Sequence, residues 1–286
     1  MSQIQWYPGH IAKTERELKP LLKWIDVVVE VLDARLPEAS CNPRLRRAYS
    51  HMPVLVLLNK SDLADSNHTK AWKVHFEKTL AAQNPDSVIK SHLFDAKTAQ
   101  HKAQVIKLLK LLAEPKMAQV VAKGLKRRPV RVLVVGMPNV GKSTVINCFI
   151  GQKKAKTGHK AGVTRQPQWV RIHPDIELLD TPGVIPPRLD SEEMGELLAC
   201  VASVGEAAYD EEQVASFLIG RIEEIYPGHL HTHYHLDADT PLSIEAIALA
   251  RRFILKGEQP DTIRTSRIIL SDFRQGRWGR LSLETV

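Results

Sequence analysis

The sequence predicts an α/β fold, a three-layer domain over residues 1–187 followed by a small all-helical domain over 188–286. Short β-branched apolar runs recur through the first part, the pattern of parallel strands buried on both faces. Helical patterns lie between those runs, and such alternation covers a sheet on two sides. Past the Pro-rich stretch DTPGVIPPRLD, which starts at Asp180, the strand signal fades and helical periodicity takes over.

In chain order, strands are expected at 26–33 (DVVVEVLD), 53–59 (PVLVLLN), 87–94 (SVIKSHLF), 130–136 (VRVLVVG) and 176–180 (IELLD). TKAWKVHFEKTLAAQ separates the second run from the third. TAQHKAQVIKLLKLLAEPK follows the third, with Val105, Ile106, Leu108, Leu109 and Leu112 at helical spacing. KSTVINCFIG, after the fourth run, is a helix that Gly151 can end. In the last part, EEQVASFLIGRIEEIY, LSIEAIALARRFILKG and TIRTSRIILSDFRQG carry helical patterns. No internal repeat or low-complexity tract is visible.

At 286 residues, 43% hydrophobic and 25% charged, the chain has the composition of a folded globular protein. No apolar run approaches the roughly 18 residues of a membrane span, so no membrane partner is expected. The first ten residues contain no apolar signal core. Cys41, Cys148 and Cys200 follow no metal or redox spacing and are expected to be reduced thiols in a cytoplasmic protein. Net charge is +8, and residues 1–204 carry 31 Lys and Arg against 19 Asp and Glu. Two basic clusters, KGLKRRPVR from Lys123 and KKAKTGHKAGVTR from Lys153, together point to a nucleic-acid partner.

GMPNVGKST satisfies Gly-x-x-x-x-Gly-Lys-Ser/Thr with Gly136, Gly141, Lys142 and Ser143, between an expected strand and an expected helix. Backbone N–H groups of Asn139, Val140, Gly141 and Thr144 are expected to wrap phosphates. Lys142 would reach the β and γ oxygens, and Ser143 would ligate Mg²⁺. LLDTPGV supplies Asp180 as a second Mg²⁺ contact and Gly183 as a γ-phosphate sensor. Thr164, in KAGVTRQPQWVRI, is the expected further Mg²⁺ ligand, with Thr157 a nearby competitor.

VLVLLNKSDLA ends an apolar run with Asn59, Lys60, Ser61 and Asp62. Asp62 can accept from guanine N1–H and N2, a pair of bonds adenine cannot offer, while Asn59 ties the base turn to the phosphate loop. FDAK ends another run, and the Ala96 N–H can meet guanine O6, with Asp95 where most GTP-binding domains carry Ser or Thr. The motif order is base, base, phosphate, switch, switch, a circular permutation of the usual order that places the second switch directly before the helical domain. GTP or GDP is the expected ligand, and the first domain is expected to be a circularly permuted P-loop GTPase.

With the opening IQWYPGHIAKT, DARLPEASCNP and the ending DFRQGRWGRLSLE, this order resembles the YlqF/RbgA family of circularly permuted GTPases acting in large ribosomal subunit assembly. The resemblance implies the large-subunit precursor and rRNA as partners, with no DNA. Val184 stands where Ras-like enzymes carry the water-orienting Gln, so unassisted hydrolysis should be slow. Through PGH, the resemblance proposes His10 as the substitute. Asn139 is a candidate to help hold a K⁺ beside the phosphates. Arg264, Arg267, Arg274, Arg277 and Arg280, spaced around Phe273 and Trp278, suit a narrow RNA-binding face. The alternating His229, His231, His233 and His235 lie among helical patterns that would spread the rings, against a metal site. The competing functions are a nucleotide kinase and a GTP-dependent switch that binds protein and not RNA.

Overall fold

The computed structural model describes residues 20–83, 87–98, 101–151, 168–180 and 191–286. These fall into two compact units, one holding 20–180 with 284–286 and the other 191–283. The first is built on six strands, β1 (Val27–Asp33), β2 (Val54–Asn59), β3 (Ile89–Leu93), β4 (Val130–Val135), β5 (Gln168–His173) and β6 (Ile176–Asp180). They form one sheet in the order β3-β2-β1-β4-β6-β5. All neighbours are parallel except β5, which turns back antiparallel to β6. The sequence pattern does not separate β5 from the loop before it, because QWVRIH mixes polar and apolar residues as an edge strand does.

All seven residues of β1 and all six of β2 are buried, since helices cover both faces. One face carries Val28, Leu32, Val54, Val56, Leu58, Leu133 and Val135, packed with Leu45 and Tyr49 around α1 (Pro43–Ala48) and with Trp72, Phe76 and Leu80 of α2 (Ser66–Gln83). The alternate residues meet α3 (Lys102–Ala122), which packs on β1, β2 and β4 through its buried Val105, Leu109, Leu112 and Met117. Each such side chain contributes about 1.5–3 kcal/mol when fully buried. The helix after β4, α4 (Lys142–Ile150), ends at Gly151 with φ +72.

Charged residues close the sheet at both ends of β1. Before it, the buried Asp26 carboxylate accepts from Arg128 Nη1 (2.6 Å) and Nη2 (2.9 Å) and from the Arg131 N–H (2.9 Å). Burial pushes this carboxyl up, but the Arg128 and Lys116 charges and these hydrogen bonds hold it below its ordinary range. Arg127 pairs with Glu114. Two arginines of the first basic cluster are therefore committed to ion pairs within the fold, which narrows its expected role in nucleic-acid binding. The second basic cluster lies outside the described residues.

The second unit contains α5 (Glu192–Cys200), α6 (Glu211–Ile225), α7 (His229–Tyr234), α8 (Ile244–Ala250) and α9 (Thr262–Gln275). Ser191, Asp210, Ser243 and Asp261 cap α5, α6, α8 and α9 by accepting first-turn N–H groups. α8 is shorter than its sequence pattern. After Arg251 the chain doubles back, Arg252 takes φ +56, and the Leu255 N–H meets the Gln259 carbonyl at 2.8 Å. Ile254 and Leu255, which extend the apolar pattern, are exposed on this hairpin.

The last residues return to the sheet unit. Glu284 is 8% exposed, and its carboxylate accepts the N–H groups of Glu38 (2.7 Å) and Ala39 (2.9 Å). The Trp72 indole donates to its carbonyl at 3.4 Å. This joins DARLPEAS to the ending RLSLE across more than 240 residues of chain. Glu284→Ala should lower stability by about 3 kcal/mol, because two N–H groups are deprived of a charged acceptor. Urea unfolding checks this through a reduced midpoint at unchanged slope; an unchanged midpoint would show the contact to be dispensable.

Candidate functional site

The sheet order reverses between β1 and β4: the chain leaves β1 toward β2 and β3, whereas β4 has β6 and β5 on its far side. Ligands of open α/β sheets bind at such a point, beyond the carboxyl ends of the strands. The motif residues converge there. Asn59 ends β2, Asp95 follows β3, Gly136 follows β4, and Asp180 ends β6. Although separated by about eighty residues in sequence, the base turn and the phosphate loop face each other across this crevice.

The phosphate loop is shaped by close approaches. Gly136 has φ +150, and a Cβ there would lie 2.3 Å from the Val31 carbonyl oxygen. Gly141 has φ +98, and its Cβ would lie 2.3 Å from Asn59 Nδ2. Neither position admits a side chain. α4 starts directly after Gly141 with no side-chain cap, leaving its first-turn N–H groups for an anion. Lys142 donates to the Met137 carbonyl, and burial alone pushes its ammonium down to about 8. It has no carboxylate partner among the described residues. Ser143 and Thr144 occupy the same first turn.

The base turn is tied to that loop twice. Asn59 Nδ2 donates to the Val140 carbonyl at 2.7 Å, and Lys60 Nζ donates to the Asn139 carbonyl at 2.6 Å. Ser61 Oγ donates to the Phe94 carbonyl at 3.0 Å, fixing the turn to the end of β3. Asp62 Oδ2 lies 3.8 Å from Lys97 Nζ, while its buried Oδ1 has no hydrogen-bond partner among the described residues. An orphaned acceptor, an uncompensated lysine and two Cβ-free approaches fit a nucleotide with a donor edge and a polyphosphate tail.

Asp95 is occupied by its own turn, accepting the Lys97 N–H at 2.8 Å and the Thr98 hydroxyl at 2.7 Å. The Ala96 N–H donates to Asn59 Oδ1 at a long 3.3 Å, so meeting guanine O6 would mean exchanging that bond. His10, Thr157, Thr164, Gly183 and Val184 lie outside the described residues, as does the Asp180 side chain.

Motif inspection misses Asp33 and Arg35. Asp33 ends β1 fully buried, gripping Arg35 through Nε (2.9 Å) and Nη2 (2.8 Å) and receiving Lys60 Nζ at 2.8 Å. Burial pushes the Asp33 carboxyl up, but the Arg35 and Lys60 charges outweigh it and hold the group well below the usual carboxylate range. The available signal is a pair of charges at the end of a β-branched run, opening the DARLPEASCNP stretch.

In the helical unit the arginines of the expected RNA face are engaged to different degrees, Arg264, Arg267, Arg277 and Arg280 remaining exposed. Arg274 donates to the Ala199 and Cys200 carbonyls that end α5, Arg277 pairs with Asp272, and Arg267 pairs with Glu211. Phe273 and Trp278 are each 3% exposed, and Trp278 packs against both Phe273 and Tyr234, so neither offers a ring face to a base. His229 and His231 bond the Trp278 and Thr240 carbonyls, and no metal-holding cluster occurs among the described residues. Further exposed cations, Arg251, Arg252 and Lys256, lie on the α8–α9 hairpin next to Arg264.

Comparison with known proteins agrees with this geometry. The family described as 50S ribosome-binding GTPase matches residues 131–225, from the phosphate-loop strand onward. Ribosome biogenesis GTPase A of Bacillus licheniformis is 39% identical, covering 98% of this chain and 98% of its own. That of Bacillus cereus is 36% identical over 99% and 94% respectively. A GDP-bound YlqF structure superposes with a TM-score of 0.64 at 27% identity, covering 94% of this chain and 99% of its own. With its guanine and phosphate motifs in permuted order on one crevice and these identities over nearly its whole length, the chain belongs to the ribosome biogenesis GTPase A (YlqF) family and is a GTP hydrolase.

Proposed function

We propose that the protein is a cytoplasmic ribosome-assembly GTPase, binding the large-subunit precursor in its GTP state and leaving after hydrolysis. The orphaned Asp62 Oδ1 beside the phosphate loop carries the nucleotide part of this reading. The shared name of the relatives supports the ribosomal part. Asp62 accepts guanine N1–H and N2, the Lys60 stem lies along the ring, and the Ala96 N–H turns to O6. Lys142 and the N–H groups of Val140, Gly141, Ser143 and Thr144 hold the phosphates, with Gly183 sensing the γ-phosphate. Ser143, Thr164 and Asp180 would hold Mg²⁺, which when bound neutralises charge between the β and γ oxygens.

Hydrolysis needs a water aligned with the γ-phosphate and positive charge on the transferring group. Val184 cannot orient water, so His10 is assigned that task, its neutral imidazole orienting the water toward the γ-phosphate. Asn139 contributes a side-chain carbonyl to a K⁺ beside the phosphates. The lack of a water-orienting side chain at Val184 makes the unassisted rate slow and leaves room for stimulation by the ribosomal particle.

The rRNA contact is assigned to the α8–α9 hairpin. Arg251, Arg252 and Lys256 are exposed and make no ion pair among the described residues, and Arg264 stacks on Phe253 at 4.4 Å. Exposed Leu249, Ile254, Leu255 and Ile263 on the same hairpin also suit a protein surface of the particle.

Asp62→Asn should cost about 100-fold in GTP affinity and transfer preference to the xanthine nucleotide, whose O2 accepts where guanine N2 donates. Calorimetric titration with both nucleotides measures this, and retained guanine preference ends the assignment. His10→Ala should slow particle-stimulated turnover about 100-fold, and the wild-type rate should fall when NaCl replaces KCl; unchanged rates remove those roles. Co-sedimentation with ribosomal particles should follow the order GTP analogue above GDP. Neutralising Arg251, Arg252 and Lys256 should weaken it and flatten its salt dependence by about 0.7–0.9 in log–log slope for each phosphate no longer neutralised. Binding insensitive to salt and ribonuclease would instead identify a protein-only switch.

A further inference from the structure

We infer that Asp33 and Arg35 are positioning residues for guanine-nucleotide binding, holding the Lys60 ammonium against the phosphate-loop carbonyl of Asn139. The inference rests on the assignment of residues 59–62 to the base site and extends it to a buried pair that no nucleotide motif includes.

Lys60 has φ +60, a left-handed conformation that is uncommon for a side-chain-bearing residue and is kept only where surroundings enforce it. Its ammonium is fixed at two points, 2.8 Å from Asp33 Oδ2 and 2.6 Å from the Asn139 carbonyl. Asn139 is itself left-handed at φ +58. Two locally unfavourable backbones, one in each loop, are thus joined through a single ammonium. Asp33 supplies the anchor, and Arg35 fixes the anchor. Arg35 binds both carboxylate oxygens and also donates its backbone N–H to Oδ1 at 3.1 Å, which sets the rotamer of a side chain with no other freedom. The charged groups acting on Lys60 are Asp33, Arg35 and, more weakly, Lys97. If Asp33 were neutral, Lys60 would face only cations and would be driven from the phosphate loop. The charges of Asp33, Arg35 and Lys60 sum to one positive charge at the crevice, a suitable sign for a nucleotide.

The alternative is that the pair only holds the fold together. A cycle of variants separates the two, because a positioning role must act through Lys60. Release of a fluorescent GDP analogue is measured for Lys60→Ala, for D33N/R35Q and for the three substitutions combined. The double variant removes both charges, so no lone buried guanidinium remains. Expected are about tenfold faster release for Lys60→Ala, a similar acceleration for D33N/R35Q, and no further acceleration in the triple variant. Multiplying effects in the triple variant, or normal release from D33N/R35Q beside fast release from Lys60→Ala, overturns the positioning role while leaving the base site intact. Normal release from Lys60→Ala defeats the base-site assignment itself, and the positioning role with it. If D33N/R35Q does not fold, Asp33→Glu takes its place: the charge stays and the carboxylate moves by one methylene, so release should quicken only when Lys60 is present. Equal acceleration with and without Lys60 overturns the proposal.

Discussion

Two donors from one turn meet two consecutive carbonyls of another, and the site depends on that junction. The Asn59 amide reaches Val140 and the Lys60 ammonium reaches Asn139, across 81 and 79 residues of chain. Hydrogen bonds with a charged member contribute more than neutral ones, and here the charged bond is backed by the buried Asp33 carboxylate. The junction also explains Gly141. The Asn59 amide can reach its carbonyl only because no Cβ stands in its path. Base turn and phosphate loop are therefore shaped for each other.

Permutation is tolerated because the energy of a packed sheet depends on which strands are neighbours, not on where the chain is cut. Here β1 and β4 are parallel neighbours although two strands and two long helices intervene in sequence. Long-range polar contacts brace each end of this central pair. Asp26 clamps the entry of β1 to the arginine-rich approach to β4, and Glu284 clamps the loop that leaves β1. The loop from Asp33 to Ser40 is further closed on itself by the Asp33 N–H bonding Ser40 Oγ at 3.1 Å. Two distinctive stretches outside the nucleotide set, DARLPEAS and the terminal LSLE, are therefore two sides of one contact.

What is legible in the sequence follows from burial. β1, β2 and β4 are covered on both faces, so apolar residues dominate them, interrupted only by Glu30 in β1 and Arg131 in β4 before their ends, and they can be read directly. β5 is an edge strand and α1 spans six residues, and neither leaves a period long enough to recognise. The pattern over 242–257 overstates α8 because exposed Ile254 and Leu255 continue a helical spacing that the backbone abandons. Glycine and lysine positions of the phosphate loop are legible because that chemistry demands fixed spacing. Asp33 and Arg35 are not, since a charge after a strand usually marks only its end. Arg274 is illegible for a related reason: composition does not distinguish a guanidinium facing solvent, such as Arg264, from one spent on helix-terminal carbonyls.

Charge distribution then decides how a nucleotide must lie. At the β2–β3 side, Asp62 and Asp95 stand near Lys97, and Asp33 answers Lys60 and Arg35. Attraction is largely balanced there, and the feature that discriminates is one unpartnered acceptor. Over β4 and α4 the balance differs: Lys142 is buried without a carboxylate, beside uncapped helix N–H groups. A neutral heterocycle with adjacent donors suits the first region and a polyanion the second. The reverse orientation would desolvate phosphates against carboxylates and leave Lys142 uncompensated, so the crevice fixes the polarity of its ligand as well as its identity.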